Sequence, residues 1–483
     1  MLKSGFRKPT FRSSLVLSRG HATSTRKAFA TVAHPAALSL DMPLSRNAPH
    51  PTVGVPPRLA DKPPAFFTHS LNTNPFKLHL GGTLPSVDIA YESWGALNEA
   101  KDNVILLTTG LSASPHAKSH PGNRKDGWWE KFIGPGLPLD TNKYHIICTN
   151  VIGGCFGSTG PSSIDPIATH QTGSPTRYGL NFPMITIWDM VRAQFQMLDT
   201  LGIPKVHSVV GSSMGGMQAL AAAALFPDKV GRIVSISAAA RSHPYSIALR
   251  HAQRQVLMSD PNWQNGNYYD SGKFPSNGLS LARQIGTITY RSGPEWEMRF
   301  GRKRANPNAK RGFKSDFMIE TYLEHQGKKW QGQYDPNSLL YISRAMDMFD
   351  MAERPFKDPN DMDALQVPTV GSQRLVDIEN SENDDDHTQT DYTHTHHLIN
   401  GLSAIQCPAL VIGVKSDFLI PSWQQKEIAT CLRSGGNHQV THFEIDGVYG
   451  HDTFLLDFAN VGSAVKGHLE IDIRHPVPGM WTI

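Results

Sequence analysis

Val206-His-Ser-Val-Val-Gly-Ser-Ser-Met-Gly-Gly-Met217 decides the fold. Four or five β-prone residues run into Gly211-Ser212-Ser213-Met214-Gly215, and an Ala-rich segment follows at once through Leu225. This is a G-x-S-x-G turn, in which a strand bends sharply into a helix and lifts the central serine above the sheet edge. Glycines flank the serine because the turn is too tight for Cβ atoms on either side. The helix start behind Ser213 leaves unpaired N–H groups and a positive dipole end where an oxyanion would form.

At 483 residues the chain is long enough for one α/β core with a large insertion. No apolar run approaches the ~18–20 residues that span a bilayer, which predicts a soluble protein with no membrane partner. The formal net charge of +4 is uneven, because the first forty residues carry seven basic side chains and no acid. Without them the balance is −3, so nothing basic remains to suggest nucleic acid. Residues 1–40, rich in Arg, Ser, Thr and Ala, read as a mitochondrial presequence, which predicts a matrix location. The four cysteines lack metal-ligand spacing and read as thiols.

The Pro-rich residues 41–70 read as an extended linker. Phe76–Leu80 and Val87–Trp94, joined through Gly81-Gly82, predict an antiparallel edge pair. Further strands are expected at Asn103–Thr108, Lys143–Thr149 and Arg232–Ser237, with a helix over Ile185–Leu201 and a helix start and turn at Trp128-Trp129. The glycine-rich stretch 153–163 lacks the Gly-Lys-Ser/Thr element of a phosphate loop. Strands alternating with helices over residues 71–240 predict a mainly parallel sheet covered on both faces. Residues 241–400 change character to helices, with candidates Tyr245–Met258, Leu279–Tyr290, Ser315–Gly327 and Pro336–Ala352, and read as a cap inserted into the core. Its polar, acidic tail, 357–397, predicts a mobile loop, whose His394, His396 and His397 read as solvated rather than metal-binding. The core resumes over 401–483 with strands Cys407–Val414 and Thr441–Ile445.

Three residues fall into line with the turn. Asp417 follows a strand, and His451 sits in the loop after the next one, so both emerge at the same edge of a parallel sheet as Ser213. The order Ser213, Asp417, His451 is that of an α/β-hydrolase-type triad, and the fold class expected is α/β, an α/β-hydrolase fold. A serine hydroxyl is a weak nucleophile at neutral pH. It needs an adjacent base, His451, and the base needs a carboxylate, Asp417, to fix its tautomer. The backbone N–H groups of Met214 and of Leu111, the latter in the small-residue loop Thr109-Gly-Leu-Ser-Ala-Ser-Pro-His116, are the expected oxyanion donors.

The chain resembles the homoserine O-acetyltransferase family of α/β-hydrolase-fold acyltransferases over most of residues 70–350 and 400–470. Carrying the resemblance are Pro138–Tyr144, Asn150–Ser163, Phe182–Thr186, Gly211–Gln218, Leu281–Tyr290, Arg299–Arg302 and Gly450–Asp452. It implies ping-pong transfer from acetyl-CoA or succinyl-CoA, used as co-substrate with no bound cofactor and no metal, through an acyl-Ser213 intermediate to an amino-acid hydroxyl. It further implies that Arg283 and Tyr290 hold the acceptor, that Asp452 takes its amino group, and that the chain forms a homodimer. An arginine fork suits a carboxylate, and a carboxylate suits an ammonium. Homoserine enzymes typically read Leu-Thr-Gly, an acidic residue and His where this chain reads Thr109–His116. That loop is more similar to the fungal mitochondrial serine O-acyltransferase branch, which implies L-serine as acceptor and cysteine biosynthesis as the setting, with L-homoserine in methionine biosynthesis as the alternative. The same triad with water as acceptor gives an esterase or thioesterase, and a non-catalytic binding protein on this fold is the remaining alternative. Intact triad positions and the Arg283–Asp452 pair favour acyl transfer.

Overall fold

The computed structural model describes residues 67–71, 75–353 and 387–471. Its strands are β1 (Phe67–Leu71), β2 (Phe76–Lys77), β3 (Thr83–Leu84), β4 (Val87–Trp94), β5 (Val104–Thr108), β6 (Ile133–Gly134), β7 (Leu139–Asp140), β8 (His145–Thr149), β9 (Ser208–Ser212), β10 (Ile233–Ile236), β11 (Ala409–Val414) and β12 (Val440–Ile445). Eight of them form one sheet in the order β1-β4-β8-β5-β9-β10-β11-β12. From β8 to β12 neighbouring strands run parallel, while β4 pairs antiparallel with both β8 and β1. Every residue of β5, β9, β10 and β11 is buried, as expected of strands covered on both faces.

Helices α1 (Pro166–Thr172), α2 (Ile187–Thr200) and α3 (Met214–Leu225) come before β10. Thr186 starts α2 with a reciprocal capping box to Asp189. Helix α3 is buried along its whole length, and its small side chains let it lie close to the sheet. A Cβ on Gly216 would stand 2.5 Å from the Ala238 Cβ. Between β10 and β11 come α4 (Pro244–Met258), α5 (Ser276–Tyr290), α6 (Gly293–Arg299), α7 (Met318–Trp330), α8 (Pro336–Asp347) and α9 (His387–Leu402). Helices α10 (Ser422–Ser434), α11 (Thr453–Leu456) and α12 (Phe458–Glu470) complete the described chain. A separate apolar cluster, with Leu257, Leu279, Trp330, Tyr334 and Leu339 among its members, holds the inserted helices together. Beside it Asp347 takes Arg250 at 2.6 Å and Arg254 at 2.5 Å, all three side chains buried.

Four expectations are corrected. The end of the linker is β1, an edge strand whose Leu71 is buried, because backbone pairing with β4 needs no apolar pattern of its own. Strand β2 turns through Gly81-Gly82 onto β3 rather than onto β4, which is taken by β1 and β8. Trp128-Trp129 lies in turns, not at a helix start; Trp129 stacks on Phe132 at 4.6 Å and is buried. The end of the expected mobile loop is the helix α9, with Leu398 buried and His396 and His397 exposed. The acidic stretch 357–386 lies outside the described residues.

Candidate active site

The serine turn forms as its residues dictate. Ser213 has φ 57° and ψ −124°, a conformation that L side chains seldom adopt. On Gly211 a Cβ would fall 2.2 Å from Thr108 Oγ1, and on Gly215 it would fall 2.4 Å from the Thr108 carbonyl oxygen. Thr108 is itself fixed, because its hydroxyl donates to the Gly215 carbonyl at 2.8 Å. Ser213 occupies the N-cap position of α3, yet its side chain makes no capping bond. Its oxygen is thus left for chemistry.

Register carries the other two residues to the same edge. Ser212 lies opposite Ile236, Ile236 opposite Ile412, and Val414 opposite Ile445, so the loops after β9, β11 and β12 leave together. Asp417 is buried, and one carboxylate oxygen accepts the N–H groups of Leu419 and Ile420 at 2.9 Å each. Its other oxygen meets His451 Nδ1 at 2.7 Å. The Ser416 hydroxyl accepts the Gly450 N–H at 3.1 Å and donates to the Gly447 carbonyl, which ties the acid loop to the histidine loop. Burial opposes a proton on His451, but the charge and hydrogen bond of Asp417 outweigh it and raise the imidazole pKa above 6.5. His451 Nε2 is buried and has no hydrogen-bond partner among the described residues. The Asp417–His451 link is therefore made, whereas the Ser213–His451 hydrogen bond is not; such bonds commonly tighten only with substrate bound.

The loop after β5 is clamped from three sides. Gln218, one turn beyond Met214 on α3, donates to the Thr109 carbonyl at 2.9 Å and accepts from Gln194 of α2 at 2.8 Å. Ala113 N–H donates to the Gly110 carbonyl at 3.3 Å. The Tyr334 hydroxyl donates to the Leu111 carbonyl at 2.6 Å. The N–H groups of Leu111 and Met214 find no acceptor among the described residues, as an oxyanion site requires.

Asp452, next to His451, lies 3.3 Å from Arg291, which also pairs with the buried Glu295 at 2.6 Å. Burial pushes the Asp452 carboxyl up, against the charges of Arg291, His451 and Arg283. The Arg283 guanidinium stands 5.2 Å from the Tyr290 ring centre and 5.1 Å from that of Trp330. Its Nε is buried without a partner among the described residues. Tyr290 turns its hydroxyl to Thr287 at 3.0 Å. The expected acceptor residues are therefore gathered, with Arg291 and Glu295 added to them. Their signal was the charge spacing at i and i+4, which reads equally well as a solvated helix face.

A second carboxylate–imidazole pair escaped sequence reading. Glu92 on β4 is buried and meets His116 Nδ1 at 2.8 Å, while His116 Nε2 faces the Lys125 carbonyl at 2.6 Å. His120 Nε2 lies 3.2 Å from the same Glu92 oxygen, off hydrogen-bond alignment, and its Nδ1 accepts the Gly122 N–H at 3.2 Å. Three metal-capable atoms thus fall within 4.8 Å of one another. Protons alone can account for these contacts. A carbonyl only accepts, so His116 Nε2 carries hydrogen, and one further proton must sit between Nδ1 and Glu92. His120, accepting at Nδ1, likewise carries its proton on Nε2 when neutral.

The profile of the α/β hydrolase fold family matches residues 103–458. A serine O-succinyltransferase of Emericella nidulans is 54% identical over 419 residues, covering 82% of this chain and 80% of the relative. A homoserine O-acetyltransferase of Moorella thermoacetica is 39% identical over 397 residues, 81% and 93% of the two chains. In fold, the chain is similar to the crystal structure of homoserine O-acetyltransferase from Bacillus anthracis, with a TM-score of 0.69 and 24% identity, covering 85% of this chain and 99% of that one. Fold and site together are those of an α/β-hydrolase-fold protein. Within that class the chain belongs to the O-acyltransferase family that includes the serine O-succinyltransferases and homoserine O-acetyltransferases.

Proposed function

We propose that the chain transfers a succinyl group from succinyl-CoA to the hydroxyl of L-serine, through a succinyl ester on Ser213. One observation carries the choice of an amino-acid acceptor. Beside the base, Asp452 lies in the field of Arg283, whose guanidinium nitrogen Nε is buried and has no partner among the described residues. A carboxylate and an available guanidinium suit a zwitterion, and a water molecule would need neither. The relatives named serine O-succinyltransferase support serine as acceptor and succinyl as the acyl group.

In the first half-reaction Ser213 Oγ attacks the thioester carbonyl while His451 Nε2 takes its proton. The tetrahedral oxygen faces the N–H groups of Met214 and Leu111. Collapse breaks the C–S bond, and His451 returns the proton to the departing thiol. In the second, His451 deprotonates the serine hydroxyl, which attacks the ester; Ser213 leaves with the proton restored. Asp417 holds the imidazole in the tautomer with hydrogen on Nδ1 throughout. The product, an O-acylserine, is an activated serine of the kind a sulfide-adding step consumes, which fits cysteine biosynthesis.

The test gives the chain from residue 41 onward succinyl-CoA or acetyl-CoA with L-serine or L-homoserine, and follows thiol release and product mass. O-succinylserine is the expected product. O-acylhomoserine would reassign the acceptor, and thiol release without either ester would favour hydrolysis. We further propose that residues 1–40 direct the chain to the mitochondrial matrix. A fusion of these residues to a reporter should be imported, and a cytosolic reporter refutes this. A homodimer is the proposed assembly, checked by light scattering.

A further inference from the structure

A continuous stack joins the acceptor end of the site to the loop that carries the Leu111 amide. It begins at Arg283, whose guanidinium lies over the Trp330 ring. Trp330, the last residue of α7, stacks on Tyr334 with centroids 4.7 Å apart and planes 13° from parallel. Phe156 meets the Tyr334 ring edge-on at 5.8 Å. The Tyr334 ring is almost wholly buried, and its hydroxyl ends on the Leu111 carbonyl at 2.6 Å. The next residue, Asp335, anchors this segment firmly. It caps α8 through the Ser338 N–H at 2.8 Å and accepts the hydroxyls of Tyr268 at 2.5 Å and Tyr269 at 3.0 Å.

Two hydrogen bonds thus set the peptide planes around the Leu111 amide. Ala113 N–H holds the Gly110 carbonyl, and a trans peptide aims the Leu111 N–H the opposite way. Tyr334 holds the following carbonyl and so fixes the rotation at Leu111. The first bond is internal to the loop. The second comes from the inserted helices, and it is the one that shares a stack with Arg283.

We propose that Tyr334 is a positioning residue that couples occupancy of the Arg283 carboxylate site to alignment of the Leu111 amide with the developing oxyanion. The inference rests on the acyl-transfer reading and on Leu111 as an oxyanion donor. When a carboxylate binds Arg283, the guanidinium settles against Trp330, and the ring beneath it passes the constraint to the Tyr334 hydroxyl. An acceptor thus reinforces the donor geometry at the moment its own hydroxyl attacks. Burial pushes the Tyr334 phenol pKa well up, so it remains a proton donor across the working range.

Tyr334→Phe removes one oxygen and keeps the ring. Losing a whole oxyanion donor costs ~10²–10³-fold in kcat, and loosening one is expected to cost about tenfold. The variant should therefore lose about tenfold in kcat, in both acyl-enzyme formation and steady-state transfer to L-serine, with KM for L-serine within about twofold and a cooperative melt retained. A kcat within twofold of the parent overturns the proposal, as does a raised KM at unchanged kcat, which would mark a substrate contact instead. Should Tyr334→Phe fail to fold, Trp330→Phe decides. It keeps the hydroxyl bond but shrinks the platform, and it should raise KM for L-serine and lower kcat together; unchanged kcat overturns the coupling. A parent protein that releases no thiol with either amino acid overturns the acyl-transfer reading and the coupling with it. An active parent with an unimpaired Tyr334→Phe overturns the coupling alone.

Discussion

Among the described residues are two buried carboxylate–imidazole pairs of nearly the same geometry. Asp417 meets His451 Nδ1 at 2.7 Å, and Glu92 meets His116 Nδ1 at 2.8 Å. They differ at the far nitrogen. His451 Nε2 has no partner among the described residues, whereas His116 Nε2 is closed off by the Lys125 carbonyl. The first imidazole can therefore take a proton from a hydroxyl, and the second cannot. What makes a base here is the nitrogen left over, not the carboxylate behind it. The closed pair instead pins the loop after β5 to β4.

The largest effects should appear when the open pair is disarmed. Ser213→Ala or His451→Ala is expected to lose on the order of 10⁴–10⁶-fold in kcat with cooperative unfolding retained, measured by thiol release and thermal melting. Asp417→Asn should cost on the order of 10³–10⁴-fold, because an amide that donates to Nδ1 moves the imidazole proton to Nε2. The corresponding exchange in the closed pair should do the reverse. Glu92→Gln can donate to His116 Nδ1 as a protonated carboxyl does, so a loss within about 1 kcal/mol in urea unfolding is expected. Glu92→Ala leaves the imidazole unpaired and should cost about 3 kcal/mol. Equal losses of activity from Asp417→Asn and Glu92→Gln would erase the distinction between the pairs.

The smallest effects lie in pH. Because His451 is raised above 6.5, the acid limb of kcat/KM should fall above pH 6.5, activity rising as the imidazole loses its proton. Burial raises Glu92 above its ordinary 4.5, against the hydrogen bond and charge of His116 and the charge of His120. Cys148 on the paired strand also faces it, its thiol pushed up by burial and by Glu92. A carboxyl raised in the folded state stabilises fully below its unfolded pKa, and that contribution fades as pH climbs through the folded value. Stability should thus decline from about pH 4.5 upward by an amount that Glu92→Gln abolishes, read from urea midpoints across pH.

The open pair was legible in the sequence and the closed one was not. Ser213, Asp417 and His451 each follow a strand of recognisable pattern, and the parallel order places their loops at one edge without any knowledge of side chains. Glu92 lies inside β4 and His116 in an irregular loop, and only the antiparallel addition of β4 to β8 brings them together. Strand β1 was hidden for a related reason. Its pairing is made by backbone to a distant partner, and the preceding prolines dominate its local signal. Arg283, Tyr290 and Asp452 came from resemblance to a family. The roles of Tyr334 and Gln218 emerge only in the folded chain, although Gln218 stands out as the polar residue in the apolar run of α3.

Ser213 sets function against durability. Its φ of 57° with ψ of −124° suits a residue without a side chain, and holding a serine there costs about 1–3 kcal/mol. Ser213→Gly should relax that strain and return only part of the gain, roughly 0.5–1 kcal/mol, to the greater freedom of its unfolded chain. The Ser213→Gly variant should therefore melt higher than the enzyme it came from. Selection for heat tolerance alone would drive this position toward glycine, so the serine endures only as long as its chemistry is needed.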